Sequence, residues 1–137
     1  MEPNIWGPHA WIFLHTTTFN YPKKPTQQDK INMINFFKSV SQILPCKICQ
    51  THFKKNLEQY PLTHSILKNR DGLVRWLIQI HNNVNLQTGK NIYSYDDVIL
   101  YYKNLDKNLD KFKITKNKIA MFCILCIIIY LVIIWKR

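Results

Sequence analysis

The chain has 137 residues, enough for one domain with a modest core and too few for a second large one. Three glycines, six prolines and 47% hydrophobic residues exclude a disordered or low-complexity chain. A formal net charge of +11 asks for an acidic partner, nucleic acid or an anionic membrane, but the lysines are scattered and neither a zinc-finger spacing nor an RNP-like aromatic run is present.

Pro8 to Phe19 is predicted as the first helix, with Pro8 in its first turn, apolar side chains nearly all round, and burial along most of its length. The preceding Met1 to Ile5 has no charged lead into an apolar core, so no signal peptide is expected. Trp11 and His15 stand four apart and share a face; taken alone they read as a core tryptophan with a satisfied core histidine. Tyr21-Pro-Lys-Lys-Pro25 breaks the helix. Thr26 with Asp29 has the capping-box pattern that opens a second one, along which Ile31, Ile34, Phe36 or Phe37, Val40 and Leu44 recur at helical spacing up to Pro45.

Leu44-Pro45-Cys46-Lys47-Ile48-Cys49 then sets a C-x-x-C pair at the start of a short third helix running to about Leu57. A thiol at a helix N-terminus has its thiolate favoured by unpaired backbone N–H groups, and Lys47 adds positive charge, so the pair suits reversible dithiol chemistry. The spacing by itself also serves zinc sites and haem attachment. Zinc needs further ligands that the soluble part does not supply, and Gln50 stands where haem attachment wants histidine, so no metal is expected. His52 falls on the solvent face with Lys54 and Lys55.

Arg70 or Asp71 begins a fourth helix with an apolar stripe of Leu73, Trp76, Leu77, Ile80 and Val84. His81 and Asn85 flank that stripe and are either satisfied internally or turned to a polar ligand. Gly89 stops the helix, and Ser94-Tyr-Asp-Asp97 opens a short fifth through about Tyr102. Five helices without a strand pattern make an all-α bundle. Residues 104–118 read as a basic linker. Ile119 to Trp135 is a run of 17 uncharged, apolar residues. At 1.5 Å per residue it extends roughly 25 Å, the short end of a bilayer span. Six lysines from Lys103 to Lys118 precede it and only Lys136 and Arg137 follow, which places the folded domain on the cytoplasmic side of a single-pass C-terminal anchor. The second C-x-x-C, Cys123 and Cys126, falls inside that run and reads as apolar filling. Two cysteines in the folded part give no multi-bridge secreted framework and suit a cytosol-facing protein with one active dithiol.

Trp6-Gly-Pro-His-Ala-Trp11 with His15, Tyr21-Pro22, Pro45-Cys46-x-x-Cys49, His81-Asn-Asn-Val-Asn85 and Gly89-Lys90, in that order, resemble the FAD-linked sulfhydryl oxidases of the Erv/ALR family across about residues 4 to 103. The small size and lack of accessory domains resemble the versions carried by large DNA viruses. The resemblance implies an oxidase domain over residues 1–103, a four-helix bundle plus short fifth helix that holds FAD at its mouth, usually as a homodimer. It also implies thiol oxidation in protein substrates, with a thioredoxin-like or small C-x-x-C carrier as one such partner, and hydrogen peroxide formed from oxygen. Cys46 would meet the substrate and Cys49 the flavin. Trp11, His15 and Tyr21 would contact the flavin end or its ribityl chain, His81, Asn82 and Asn85 the adenine and ribose, and Lys90 the pyrophosphate. Tyr93 and Tyr102 would supply aromatic walls, Tyr102 standing where the family often has tryptophan. Two departures stand out: the family's long-range structural disulfide has no counterpart, and the only candidate for a shuttle C-x-x-C lies in the apolar run. The competing hypothesis, a tail-anchored basic interaction or nucleic-acid-binding module with a non-catalytic C-x-x-C, accounts for charge and anchor but leaves Cys46, Cys49, His15 and His81 to Asn85 without a use.

Overall fold

The computed structural model describes residues 2–105 and, beyond them, 107, 120–122, 124, 125, 127 and 134. The chain divides into two units, Met1–Tyr95 and Asp96–Arg137. Every regular element among the described residues is helical, and none of the helices is long and apolar enough to cross a membrane. Most of the run 119–135, with Cys123 and Cys126, and most of the linker 104–118 lie outside the described residues.

Helix α1 spans Pro3–Phe19, so it begins before the predicted start. Pro3 takes the first-turn position, where a missing N–H costs nothing, and Pro8 sits inside the helix. The bond Pro8 withholds would run to the Asn4 carbonyl, which is at the exposed helix start where water can serve it. Burial along most of α1 is also corrected: only Leu14, His15 and Thr18 are buried, while Ile5 and Phe13 are 62% and 60% exposed. Its apolar surface runs all round, but α4 covers only one side of it.

Helix α2 (Gln27–Ile43) opens on the predicted capping box, Asp29 N–H donating to Thr26 Oγ1 at 3.2 Å and Thr26 N–H to Asp29 Oδ2 at 2.8 Å. Its inward stripe is Met33, Phe37, Val40 and Leu44, and Ile31 and Ile34, predicted inward, are 41% and 37% exposed. The phase is fixed by Phe37, whose ring meets Trp76 edge-on at 4.7 Å and is fully buried. Helix α3 (Lys47–Gln59) follows after the turn at Pro45.

An unpredicted 3₁₀ turn, Ile66–Lys68, lies across the start of α4 (Arg70–Gln87). Gly72 permits that approach: a Cβ there would lie 2.5 Å from the Ile66 carbonyl oxygen. Asn69 Oδ1 caps the helix by accepting the Gly72 N–H at 2.9 Å. Helix α4 is the hub, packing on α1, α3 and the 3₁₀ turn. Leu73, Leu77 and Ile80 are wholly buried, each contributing about 1.5–3 kcal/mol, and Val74 and Ile78, outside the predicted stripe, are buried as well. Trp76 donates Nε1–H to the Tyr60 carbonyl at 2.8 Å, which ties the end of α3 to α4.

Gly89, at φ 67°, ends α4 as predicted, in the left-handed conformation that glycine adopts freely. The chain then doubles back along α4 as a strap, residues 90–94, before α5 begins at residue 95 and continues to 105. In the second unit the Tyr101 and Tyr102 rings pack edge to face at 5.1 Å.

Candidate functional site

Cys46 and Cys49 form a disulfide with their Cα atoms 5.1 Å apart. Cys46 is the N-cap of α3, and its Sγ accepts the Cys49 N–H at 3.2 Å. In the reduced state this N–H, the α3 N-terminus and the exposed Lys47 all favour a thiolate on Cys46. The turn is locked from behind by Gln50, whose Nε2 donates to the Leu44 carbonyl at 2.6 Å. Both cysteines are half-buried, so the pair is open to attack yet rooted in the bundle.

Below Cys49 the same face of α3 carries Phe53 and Asn56, one and two turns on. Phe53 is buried and its ring lies 6.3 Å from that of Trp11. Trp11 in turn stacks flat on His81, centroids 3.8 Å apart and planes 7° from parallel. His81 Nδ1 and His15 Nε2 are 3.0 Å apart and share one hydrogen bond. The predicted trio of Trp11, His15 and His81 is therefore one cluster between α1 and α4, joined to the disulfide through Phe53.

Burial, and then the neighbouring His81, push His15 down to about 3; burial, and then the charge of Lys90, push His81 down to about 4. Both rings are neutral at ordinary pH, each with one donor and one acceptor nitrogen. The pull of Lys90 on His81 puts that cation within electrostatic range of the cluster, with its own side chain exposed.

The two asparagines hold the strap. Asn82 pairs with both backbone groups of Tyr93, its Nδ2 donating to the Tyr93 carbonyl at 2.8 Å and its Oδ1 accepting the Tyr93 N–H at 3.0 Å. Asn85 Nδ2 donates to the Asn91 carbonyl at 3.0 Å, while Lys90 N–H returns to the Asn85 carbonyl at 2.8 Å. One N–H of each amide is thus spent on the backbone of the strap. The strap leads into Tyr95, the first residue of α5, whose hydroxyl donates to Asp71 at 2.8 Å under the Arg75 guanidinium, 3.8 Å from the ring centre.

Tyr21 belongs to the hydrophobic core against which Trp11 packs. It is 2% exposed, packed in the core with its hydroxyl donating to the Leu67 carbonyl at 3.2 Å, and burial followed by the Asp29 charge raises its pKa above the ordinary value. The phenol is spent on anchoring the end of α1 to the 3₁₀ turn. Tyr93 is 51% exposed on the strap, and Tyr102 belongs to the second unit. Sequence reasoning missed Phe53 and Asn56, although their spacing from Cys49 marks one helical face. Asn56 is 1% exposed, and its Oδ1 accepts from Asn83 Nδ2 at 2.8 Å and Gln87 Nε2 at 3.3 Å. Its Nδ2 has no acceptor among the described residues.

Residues 8–105 match the Erv1/Alr family. The chain is 41% identical over 99 residues to a protein of Acanthamoeba polyphaga mimivirus named "Probable FAD-linked sulfhydryl oxidase R368", covering 72% of this chain and 69% of that one. It is 34% identical over 92 residues to the FAD-linked sulfhydryl oxidase ERV1 of Arabidopsis thaliana, covering 67% of this chain but about half, 47%, of the plant protein. Its fold superposes on the crystal structure of the FAD binding domain of Erv1 from Saccharomyces cerevisiae with a TM-score of 0.64 at 31% identity, covering 69% of this chain and 87% of that one. A match over most of the folded chain, in the same helical fold and with the disulfide at the start of α3, makes this chain a member of the Erv1/Alr family.

Proposed function

We infer that this chain is an FAD-dependent thiol oxidase that forms disulfide bonds in protein substrates. The observation that carries this is the placement of the Cys46–Cys49 disulfide at the half-buried N-terminus of α3, one turn from Phe53, which touches the Trp11–His81–His15 cluster. A basic interaction module has no use for that arrangement.

The residues present fit FAD. A flavin or adenine ring wants flat aromatic neighbours, which Trp11 and His81 supply, and an uncharged ring edge is matched by imidazoles held neutral. No G-x-G-x-x-G exists to bring a helix N-terminus to a pyrophosphate, so Lys90 is its cation. Asn56 Nδ2, buried on the Cys49 face without an acceptor, is a donor that a group rich in carbonyls and phosphates can satisfy. In this reading Trp11, His15, Tyr21, Cys49, His81, Asn82, Asn85, Lys90 and Tyr93, all of the first unit, hold the cofactor. The chemistry that bound FAD supplies is acceptance of an electron pair from the reduced dithiol and its transfer to oxygen, giving hydrogen peroxide.

The protein's own part is thiol–disulfide exchange. A substrate thiolate attacks Cys46 Sγ, the Cys46–Cys49 bond breaks, and Cys49 leaves as a thiolate. A second substrate thiolate then attacks the substrate sulfur of the mixed disulfide, expelling Cys46. Because Cys49 N–H and the helix terminus stabilise the Cys46 thiolate, that release is fast, which supports Cys46 as the substrate-facing member.

The proposal includes a homodimer, supported by the open apolar side of α1 and α2 at Ile5, Phe13, Ile31 and Ile34. It also includes a bilayer anchor over 119–135 with the oxidase on the cytoplasmic side, in a host or virion membrane, supported by the uninterrupted apolar run and the lysines before it. The test is purification of the full-length chain. It should be yellow, release FAD on denaturation, and consume oxygen when given a small dithiol. Well-folded colourless protein, or yellow protein inert towards dithiols, overturns the assignment.

A further inference from the structure

Cys46 is flanked by exposed apolar side chains at the head of a helix that presents three exposed lysines, Lys47, Lys54 and Lys55. Ile43, the last residue of α2, is 74% exposed, and Ile48, between the two cysteines, is 68% exposed. Neither packs into the core, and the bond from Gln50 to the Leu44 carbonyl fixes the turn between them. Along the outer face of α3, Lys47 and Ile48, then Thr51, then Lys54 and Lys55 follow one another at helical spacing, all exposed. Glu58 is the one acidic residue of the helix and stands at its far end.

We propose that this face is the docking surface for an extended, reduced polypeptide segment carrying an apolar side chain beside its attacking cysteine and acidic side chains a few residues away. The proposal rests on the oxidase reading above and names its substrate class. The apolar neighbour covers Ile43 and Ile48 as the substrate sulfur reaches Cys46. The acidic residues meet the lysines of α3, and the geometry sets their spacing. Lys54 is eight residues from Cys46, about 12 Å along a helix. An extended chain covers that distance in roughly three to four residues. The bonds exchanged are those already given, so the docking adds positioning and no new redox step.

The test uses the full-length, FAD-loaded chain and three reductants: dithiothreitol, a two-cysteine peptide with Leu beside the first cysteine and Glu three and four residues beyond it, and the same peptide with Ser and Lys at those positions. Oxygen consumption gives kcat/KM for each. The Leu/Glu peptide should be preferred to the Ser/Lys peptide by about tenfold, the discrimination that one apolar contact and a few exposed charges provide. Ile48→Ser, and separately Lys54→Glu with Lys55→Glu, should each cut that ratio at least threefold, and added salt should erode only the charge-dependent part. Equal rates for the two peptides, or a preference untouched in both variants, overturn the docking surface while the oxidase reading stands. Failure of the wild-type protein to oxidise even dithiothreitol overturns the oxidase reading and the docking surface with it.

Discussion

Cys46 and His15 are both polar side chains placed by the same bundle, and their surroundings treat charge in opposite ways. Cys46 caps a helix, receives a backbone N–H and stands beside an exposed lysine, so its surroundings welcome an anion. His15 is 1% exposed, shares a hydrogen bond with a second histidine, and is held neutral, as is that partner, with Lys90 adding to the penalty on His81. One region generates and releases charge; the other is an uncharged aromatic seat. The α3 face through Cys49 and Phe53 runs from one to the other, and each can be broken while the other is watched.

Replacing Cys46 or Cys49 with serine should have the largest effect, lowering dithiol-driven oxygen consumption by about a thousandfold or more while bound FAD and the melting temperature stay near wild type. Activity surviving in either variant would show that electrons enter elsewhere. Trp11→Ala should do the reverse. It removes the plate under His81 and the contact with Phe53, with an expected cost of about 2–3 kcal/mol for a half-buried aromatic, and bound FAD per chain should drop at least severalfold. The disulfide should still be exchangeable with a thiol reagent. Loss of that exchange would mean the two regions are one.

The histidines give the next effect. Their ordinary value is 6.5, and their values in the folded chain are about 3 and about 4. Above pH 6.5 folded and unfolded chains both hold neutral imidazoles. As the pH falls below that, the unfolded chain binds protons that the folded chain refuses, so stability declines until the pH passes the folded values. The melting temperature should fall by roughly 5 °C or more between pH 7 and pH 5, and His81→Gln should flatten the slope. A flat wild-type profile would show that the seat tolerates charge.

Much of this comparison was legible from residue patterns. Thr26 with Asp29, Cys46 after Pro45, and Gly89 after the α4 stripe are local signals, and each fixes a helix end through bonds made within a few residues. Trp11, His15 and His81 came from family resemblance, and their meeting depends on α1 lying against α4. Patterns failed where tertiary contacts chose between equivalent options. Nothing local decides between Phe36 and Phe37, or says that Met33 rather than Ile31 and Ile34 faces inward; Trp76 decides that. Nothing local says that Asn82 and Asn85 bind a returning strap, because their partners are backbone groups of Asn91 and Tyr93. Nothing local says that the Tyr21 hydroxyl anchors the end of α1, because the carbonyl it meets belongs to Leu67, far along the chain.

The smallest effect is expected where the same motif meets a third environment. Cys123 and Cys126, outside the described residues, repeat the C-x-x-C spacing within the apolar run, as its fifth and eighth members. On the proposed bilayer reading they lie roughly 6 to 11 Å below the cytoplasmic edge of an upright helix. An apolar medium solvates a thiolate poorly, which leaves a thiol there a weak nucleophile. Relaying electrons to Cys46 would require the segment to leave the bilayer and surrender the burial of several Ile and Leu side chains, about 1.5–3 kcal/mol each. Cys123→Ser with Cys126→Ser should therefore change neither dithiol nor protein oxidation by more than about twofold. The measurement is made on full-length protein in membranes with a small dithiol and with a reduced protein as alternative substrates. If the double replacement abolishes protein oxidation and spares dithiol oxidation, these cysteines carry electrons to Cys46, the segment reaches water, and the bilayer placement is wrong.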